Sequence, residues 1–410
     1  MRTIDPVSGA GESIQTHLSP SLLLEDLFEA YFSCRRNKRN TSNATAFEVD
    51  FESQLVQLRD EIIAGTYRPR RSLAFIVHEP VQREIFAAHF RDRVVHHLVI
   101  NKLNPLFERE FIHDSYACRM GRGTLFGIRR VDTFIRRASA NYTRDCFVLR
   151  LDIRGFFMHI VQRLLTDRLE RFVASKYRAR DSSLVARLCR TIVLSDPSRH
   201  CVIRGSRADW SGLPPDKSLF TSPSGCGLPI GNLSSQVFAN FYLNPFDHFV
   251  KHDLGMRGYG RYVDDLVLVH ESREHLAALV PVIRDYLRRE LRLELHPKKI
   301  ALQHHAHGVK FLGAVILPNR IYVGNRTKAN FHDALVRHNR VVVAGRSPSD
   351  TERGAFQASV NSYLGLMRQF DTYRLRRSML RRGGRNWWRY AHVTGDYGKV
   401  VVRRRRLRRG

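Results

Sequence analysis

The chain has 410 residues, of which 43% are hydrophobic and 26% are charged. This composition is typical of a folded protein and excludes wholesale disorder, and the length favours two or three packed subdomains of about 100–200 residues each. Lys and Arg number 68 against 39 Asp and Glu, which gives a formal net charge of +29. A surplus of that size predicts a polyanionic partner, and nucleic acid is the commonest one.

The cysteine spacing and the N-terminal sequence are typical of a cytoplasmic protein. The six cysteines are scattered without a C-x-x-C pair, so we expect neither a structural zinc site nor a disulfide framework. The opening sequence MRTIDPVSGA has no apolar signal core. No stretch reaches about 18 consecutive apolar residues, so we expect neither secretion nor membrane spanning.

The N-terminal part of the chain has mostly helical patterns. Residues 1–20 are rich in Ser, Gly and Thr and predict a loose lead-in. Apolar residues at helical spacing predict helices over 21–39, 47–63 and 91–107, and the segment 67–81 has a strand-like pattern. We therefore expect a helical extension over residues 1–70.

The middle third alternates short apolar strands with helices. Strands are predicted at 147–151, 266–269 and 310–316. Helices are predicted at 161–173, 235–252 and 275–291. This order predicts an α+β sheet backed by helices.

The C-terminal segment is strongly basic. From Phe331 to Gly410 there are 19 Lys and Arg against 5 Asp and Glu, and the segment ends in an Arg-rich run. One interpretation is a disordered, solubilising tail. Because the rest of the chain is also basic, contact with phosphates is favoured.

Three aspartates form the constellation most indicative of chemistry. Asp264 and Asp265 precede the predicted strand 266–269, and Asp152 ends the predicted strand 147–151. Adjacent carboxylates repel each other, and Mg²⁺ stabilises them because it takes oxygen ligands and shares carboxylates with substrate phosphates. If the two strands are neighbours, three carboxylates surround one site, as two-metal phosphoryl transfer requires. The alternative for each aspartate is an ordinary turn or helix cap.

Five ordered motifs resemble those of the reverse transcriptase family. They are LDIRGFF at 151–157, GLPIGNLSSQ at 227–236, YVDD at 262–265, LHPKK at 295–299 and FLG at 311–313. The resemblance implies an RNA-directed DNA polymerase with the α+β right-hand fold. Its parts would be fingers at 71–144, a ferredoxin-like palm at 145–325 with a fingers insertion near 175–225, and a helical, basic thumb with an Arg-rich tail at 326–410.

The resemblance also implies roles for individual residues. Asp152, Asp264 and Asp265 would bind two Mg²⁺ ions, or Mn²⁺ in their place, and Lys298, with Lys299 as the alternative, would give a proton to the departing pyrophosphate. The nucleotide would be bound by Arg83, Phe157, Ile230, Gly231 and Gln236, and the primer grip would be Phe311, Leu312 and Gly313. Nucleic-acid contacts would come from Arg91, Arg93, Arg119, Arg122, Arg368 and Arg374. For Phe157 the alternative is core packing, and for each arginine it is a structural cap or salt bridge.

Ile230 indicates a subtype. Many reverse transcriptases have Gln at this position, and the departure resembles the enzymes of diversity-generating retroelements, which copy a template RNA with errors at adenines. An apolar side chain removes a hydrogen-bond partner beside the nascent pair, which predicts an effect on fidelity. The partners would be template RNA, the RNA–DNA hybrid, dNTPs and a small, basic, helical accessory oligomer, in a bacterial or phage setting. A group II intron-like or antiphage-defence reverse transcriptase and a non-catalytic nucleic-acid-binding protein stay open as alternatives.

Overall fold

The computed structural model describes residues 20–36, 41–78, 81–343 and 347–403. The lead-in predicted for residues 1–20 and the Arg-rich run after residue 403 lie almost entirely outside these residues. The described chain divides into two compact units. The first comprises Met1–Phe111 and Gly155–Asn244, and the second comprises Ile112–Arg154 and Pro245–Gly410.

Helices and strands alternate along the described residues, so the predicted α+β class is confirmed. The helices are α1 Pro20–Arg35, α2 Ser42–Glu48, α3 Phe51–Ile63, α4 Phe90–Glu110, α5 Thr124–Ala138, α6 Phe156–His159, α7 Gln162–Lys176, α8 Ser182–Leu194, α9 Leu233–His248, α10 Arg273–Leu291, α11 Asn325–Val343, α12 Asp350–Met367 and α13 Tyr373–Gly383. The strands are β1 Leu73–Val77, β2 Arg83–Ala87, β3 Phe147–Asp152, β4 Val202–Ile203, β5 Gly258–Tyr262, β6 Asp265–His270, β7 Ala301–His304, β8 Val309–Phe311, β9 Ala314–Leu317, β10 Arg320–Val323, β11 Ala391–Thr394 and β12 Lys399–Val402. No helix of the described part has the length and the apolar run that a membrane span requires.

Two predicted elements are each divided in the structure. The single helix predicted over 47–63 is wrong: α2 and α3 are separate because Asp50 leaves the helical region, with φ −143° and ψ 54°. The single strand predicted over 310–316 is also wrong, since Leu312 (φ 47°) and Gly313 (φ 82°) form a turn between β8 and β9. In both cases the apolar pattern continues across the break, so periodicity alone does not reveal it.

The first unit combines helices with a small sheet of order β2-β1-β4. β1 pairs with β2 antiparallel, and β4 adds to β1 in parallel. Beside this sheet a cluster of buried side chains contains Ala74, Phe86, Met158 and Leu219. The sheet is therefore fixed to the chain that follows Gly155, where several of the predicted nucleotide-binding residues lie.

The second unit is built on an antiparallel sheet of order β5-β6-β3-β7. Ile128 and Val131 of α5 pack against Val148 of β3 and Val267 of β6. Side chains alternate between the two faces of a strand, so the face that carries Val148 in β3 also carries Asp152 at the far end of that strand. One face of the sheet thus runs from an apolar core to an acidic end.

The C-terminal part of the second unit is a helical bundle closed by a hairpin. Trp387 is fully buried and stacks on Phe356 with ring centroids 4.0 Å apart. β11 and β12 pair antiparallel and pack on α12. The helices expected after residue 326 are present, whereas this hairpin is an addition that the sequence did not predict.

Candidate active site

The turn between β5 and β6 carries two of the three aspartates. Tyr262 pairs with Asp265, so Val263 and Asp264 form a two-residue hairpin turn. Val263 has φ 56°, a left-handed conformation that is an outlier for a β-branched residue. Strain of this kind persists only where the surrounding structure holds it, and it is concentrated at functional sites.

Strand β3 brings the third aspartate to the same turn. β3 and β6 are antiparallel neighbours, and in their register Asp152 lies directly opposite Asp265. The backbone N–H of Ile153 donates to the carbonyl oxygen of Asp264 at 3.3 Å. Residues directly opposite in an antiparallel pair have Cβ atoms about 4.5–5.5 Å apart. The structure therefore brings Asp152, Asp264 and Asp265 together, although more than a hundred residues separate the two strands.

The proximity of the three carboxylates changes their acidity. Burial, followed by the charges of Asp265 and Asp152, raises the pKa of Asp264 to about 7. Partial desolvation and the charge of Asp152 also raise the pKa of Asp265. A nearby cation would favour the ionised form of both carboxylates.

A lysine ammonium supplies positive charge at this point. Lys299 Nζ donates to both carboxylate oxygens of Asp152 at 2.9 Å. Among the residues that the structure describes, no three His, Cys, Asp or Glu side chains are arranged to enclose an ion. The donor set nevertheless fits a hard divalent cation, because it consists of clustered carboxylate oxygens at the end of a rigid sheet.

The LHPKK segment reaches the site by extending the sheet. Ile153 and Leu295 form an antiparallel bridge, and the N–H of His296 donates to the carbonyl of Asp152 at 2.8 Å. The turn that follows directs the Lys299 ammonium to Asp152, whereas Lys298 donates through its backbone N–H to His296 Nδ1 at 3.2 Å. Of the two lysines considered from the sequence, the geometry favours Lys299 for a role at the carboxylates.

A cleft beside Asp265 contains the predicted primer grip. Phe311, Leu312 and Gly313 line this cleft of about 310 Å³ together with Asp265 and Arg150. Arg150 Nη1 donates to the carbonyl of Lys310 at 2.6 Å and so joins β3 to the β8–β9 hairpin. Sequence reasoning missed Arg150, although its position two residues before Asp152 puts it on the same face of β3.

In the first unit, Ile230 and Gly231 are fastened to strand β2. The N–H of Phe86 donates to the carbonyl of Ile230 at 2.8 Å. Gly231 has φ 124°, and a Cβ at this position would lie 2.8 Å from Ile85 Cγ2. Only glycine fits here without a shift of the neighbouring strand.

The other predicted nucleotide-binding residues also belong to the first unit. Phe157 is half-buried and packs, like Ile230, against the cluster that contains Phe86. Arg83 is exposed at the start of β2, and Gln236 is exposed in the first part of α9. Phe157 therefore packs on this cluster while part of its ring stays accessible, and its place in the nucleotide site stays a prediction.

The prediction that Arg91 binds nucleic acid is wrong. Its side chain is only 2% exposed, forms an ion pair with Glu61 and lies over the ring of Tyr67. Arg93 is half-buried and donates to the carbonyl of Ala88 at 2.9 Å. A basic residue on an amphipathic helix looks alike in sequence whether its partner is phosphate or a buried carboxylate, so the sequence could not separate these roles.

The remaining predicted arginines differ in their surroundings. Arg119 donates to the carbonyls of Ile112 and Ser115, and Arg122 donates to that of His113. These two arginines therefore hold residues 112–115 to the following segment, in which Gly121 and Gly123 have positive φ. Arg368 and Arg374 are exposed on the C-terminal helical part of the second unit.

The comparisons with known proteins agree with this geometry. Residues 82–316 match the family model described as "Reverse transcriptase (RNA-dependent DNA polymerase)". The chain is 24% identical over 317 residues to Protein YkfC of Escherichia coli, covering 69% of this chain and 76% of that protein.

Two solved telomerase structures also match the chain, each at 11% identity. An apo telomerase from Candida tropicalis, truncated from its C-terminal domain, gives a TM-score of 0.43 and covers 62% of this chain. A telomerase from Candida albicans in complex with a TWJ fragment of telomeric RNA gives 0.45 and covers 83%. The chain spans 55% and 60%, respectively, of the lengths of those two proteins.

Proposed function

We propose that this chain, which belongs to the reverse transcriptase family and is an RNA-directed DNA polymerase, serves a diversity-generating retroelement. In this role it copies a template RNA into cDNA with errors concentrated at template adenines. The observation that carries the polymerase chemistry is the pairing of β3 with β6, which sets Asp152 opposite Asp265 and next to Asp264. The observation that supports the subtype is Ile230, an apolar residue at the position where many relatives have Gln.

The proposed catalytic groups all belong to the second unit. Polymerases of this family use divalent metals, and we propose that Asp152 and Asp264 hold two Mg²⁺ ions, or Mn²⁺ in their place, with Asp265 in support. When bound, these ions would activate the primer 3′-hydroxyl and stabilise charge on the α-phosphate. In this proposal Lys299 leaves Asp152 and gives a proton to the departing pyrophosphate. A general acid must lie within hydrogen-bond reach of the group that it protonates.

Substrate selection is proposed for the first unit. Arg83 offers a cation to the triphosphate, and Phe157 presents an aromatic edge that disfavours a 2′-hydroxyl. In the same proposal Ile230 and Gly231 line the nucleotide-binding pocket, and Gln236 of α9 contributes to it. The attachment of Ile230 to β2 through Phe86 supports a rigid pocket at this point.

Nucleic acid is the partner that the charge distribution supports. Arg374 and Arg377 are exposed on α13, in a segment of high basic surplus. Sequence-independent contacts to phosphates let a polymerase move along an RNA–DNA hybrid, and they weaken steeply with salt. The accessory oligomer, the dNTP substrates and a cytoplasmic, bacterial or phage setting are parts of the same proposal.

The deciding experiment is primer extension by the purified protein on an RNA template, followed by sequencing of the products. We expect extended cDNA with errors concentrated opposite adenine, and no extension by the Asp264→Asn variant. We expect Ile230→Gln to extend with fewer errors at adenine. Accurate cDNA from the wild type would retain the polymerase and reject the subtype, favouring a group II intron-like or defence enzyme. Absence of extension on any primed RNA would reject the catalytic proposal.

A further inference from the structure

A fully buried ion pair lies behind the aspartate turn. The side chains of Arg261 and Asp247 are both 0% exposed. Arg261 Nε donates to Asp247 Oδ1 at 2.8 Å, and Nη2 donates to Oδ2 at 2.5 Å. Tyr259 Oη donates to Asp247 Oδ1 at 2.7 Å. The carboxylate therefore holds the guanidinium in one orientation through two parallel hydrogen bonds.

The same guanidinium holds the turn itself. Arg261 Nη1 donates to the carbonyl oxygen of Val263 at 3.0 Å. That carbonyl belongs to the peptide bond joining Val263 to Asp264, and Val263 is the residue in the strained, left-handed conformation. The orientation of this peptide group determines the position of the Asp264 Cα atom and the direction of its side chain.

The backbone of Arg261 is fixed as well. Its N–H donates to the carbonyl of Asp114, and its carbonyl accepts from the N–H of Tyr116, both at 2.9 Å. Its Nη2 also donates to Ser115 Oγ at 3.2 Å. Residues 114–116 thus form an isolated parallel bridge with Arg261 and hold its backbone from the side away from the turn's own strand pairing.

From these contacts we infer that Arg261, oriented by Asp247, is a positioning residue that sets the Asp264 carboxylate by holding the Val263 carbonyl. A buried ion pair is a weak source of stability compared with apolar residues of the same volume. A β-branched residue with positive φ relaxes unless a neighbour holds it. Both points favour a geometric role for the pair. The inference deepens the proposed function, on which it rests for its catalytic readout.

The test uses a double variant that removes the pair without leaving a buried charge. Asp247→Leu combined with Arg261→Met fills similar volume, and such replacements are often neutral for folding. The full-length protein is measured for its thermal midpoint, its kcat and dNTP KM in primer extension, its template–primer Kd, and its Mn²⁺ Kd by electron paramagnetic resonance. The matched control is Arg136→Met, which breaks the half-buried pair of Arg136 with Asp132 on α5, a pair that takes no part in holding Arg261.

We expect the double variant to fold and to bind template–primer as the wild type does. Its kcat should fall about 10- to 100-fold, the usual effect of removing an outer-shell partner, and its Mn²⁺ Kd should rise. Arg136→Met should keep the wild-type kcat and Mn²⁺ Kd. Unchanged kcat and Mn²⁺ Kd in a folded double variant would overturn the inference. If the double variant does not fold, the single Arg261→Lys variant, which keeps the charge, is measured in the same way with the same expectations.

The two proposals can fail separately. Extension by the wild type together with unchanged Mn²⁺ binding in the double variant rejects the positioning role alone. Absence of extension by the wild type rejects the polymerase proposal, and the Mn²⁺ Kd of the variant still decides the positioning role, since ion binding does not require turnover.

Discussion

The contact between Lys299 and Asp152 leads to a prediction that separates two adjacent lysines. Both lysines are exposed, but Lys299 Nζ lies 2.9 Å from both oxygens of Asp152, whereas the hydrogen bond of Lys298 is made by its backbone N–H to His296 Nδ1. Replacing each by Met retains the apolar stem and removes the ammonium. Lys298→Met is therefore the matched control for Lys299→Met.

Loss of the Lys299 ammonium should have a small effect on folding stability and a large effect on the rate of primer extension. The Lys299 side chain is 49% exposed, so its salt bridge with Asp152 is screened by solvent and contributes about 0–1 kcal/mol to folding. Loss of a general acid, in contrast, costs about 10²- to 10⁴-fold in rate, or roughly 3–5 kcal/mol in the barrier. We expect Lys299→Met to unfold almost as the wild type does and to extend a primer at least about a hundredfold more slowly.

The assay is single-turnover primer extension with saturating dNTP and Mg²⁺ at pH 8. At this pH Asp264, with its pKa of about 7, is mostly ionised, and saturating Mg²⁺ favours the ionised carboxylate, which opposes a further rise of that pKa on loss of Lys299. Lys298→Met should extend at the wild-type rate. A normal rate for Lys299→Met, or a loss confined to Lys298→Met, would refute the assignment.

Three further predictions concern separate parts of the chain. Because the pKa of Asp264 is raised to about 7, its carboxylate takes up a proton as the pH falls below 7. The ionised fraction falls from about one half at pH 7 to about one tenth at pH 6, so Mn²⁺ affinity measured by paramagnetic resonance should decrease about fivefold over this interval; equal affinities at pH 6 and 8 would contradict this. Gly231→Ala places a Cβ against Ile85 and requires a strained φ, so chemical unfolding should show a free energy of unfolding lower by about 1–3 kcal/mol. An unchanged free energy of unfolding would argue against the tight approach of Gly231 to β2. Arg91→Ala leaves Glu61 without its buried partner and should cost about 3–5 kcal/mol of folding stability. The salt dependence of template binding should stay that of the wild type, and a lower salt slope would restore Arg91 as a phosphate contact.

The sequence was most informative where function demands particular residues in order. The alternation of strands and helices in the middle of the chain, and the motifs around Asp152 and Asp264, could be read directly. Periodicity did not reveal the interruption at Asp50 or the turn at Leu312, because a break in φ and ψ leaves the apolar pattern intact. Arg91 illustrates a further limit: its partner Glu61 comes from another helix, and no local pattern contains that information.

The sequence by itself determined which carboxylates and lysines are available, since these residue types and their order are fixed by the motifs. Only the tertiary structure decided that β3 pairs with β6 in the register that sets Asp152 opposite Asp265. It also decided that Lys299, and not Lys298, contacts Asp152, and that Arg261 is held by Asp247 behind the turn. These contacts join residues far apart in the chain, and they depend on strand register and helix packing, which arise only when the whole core is assembled.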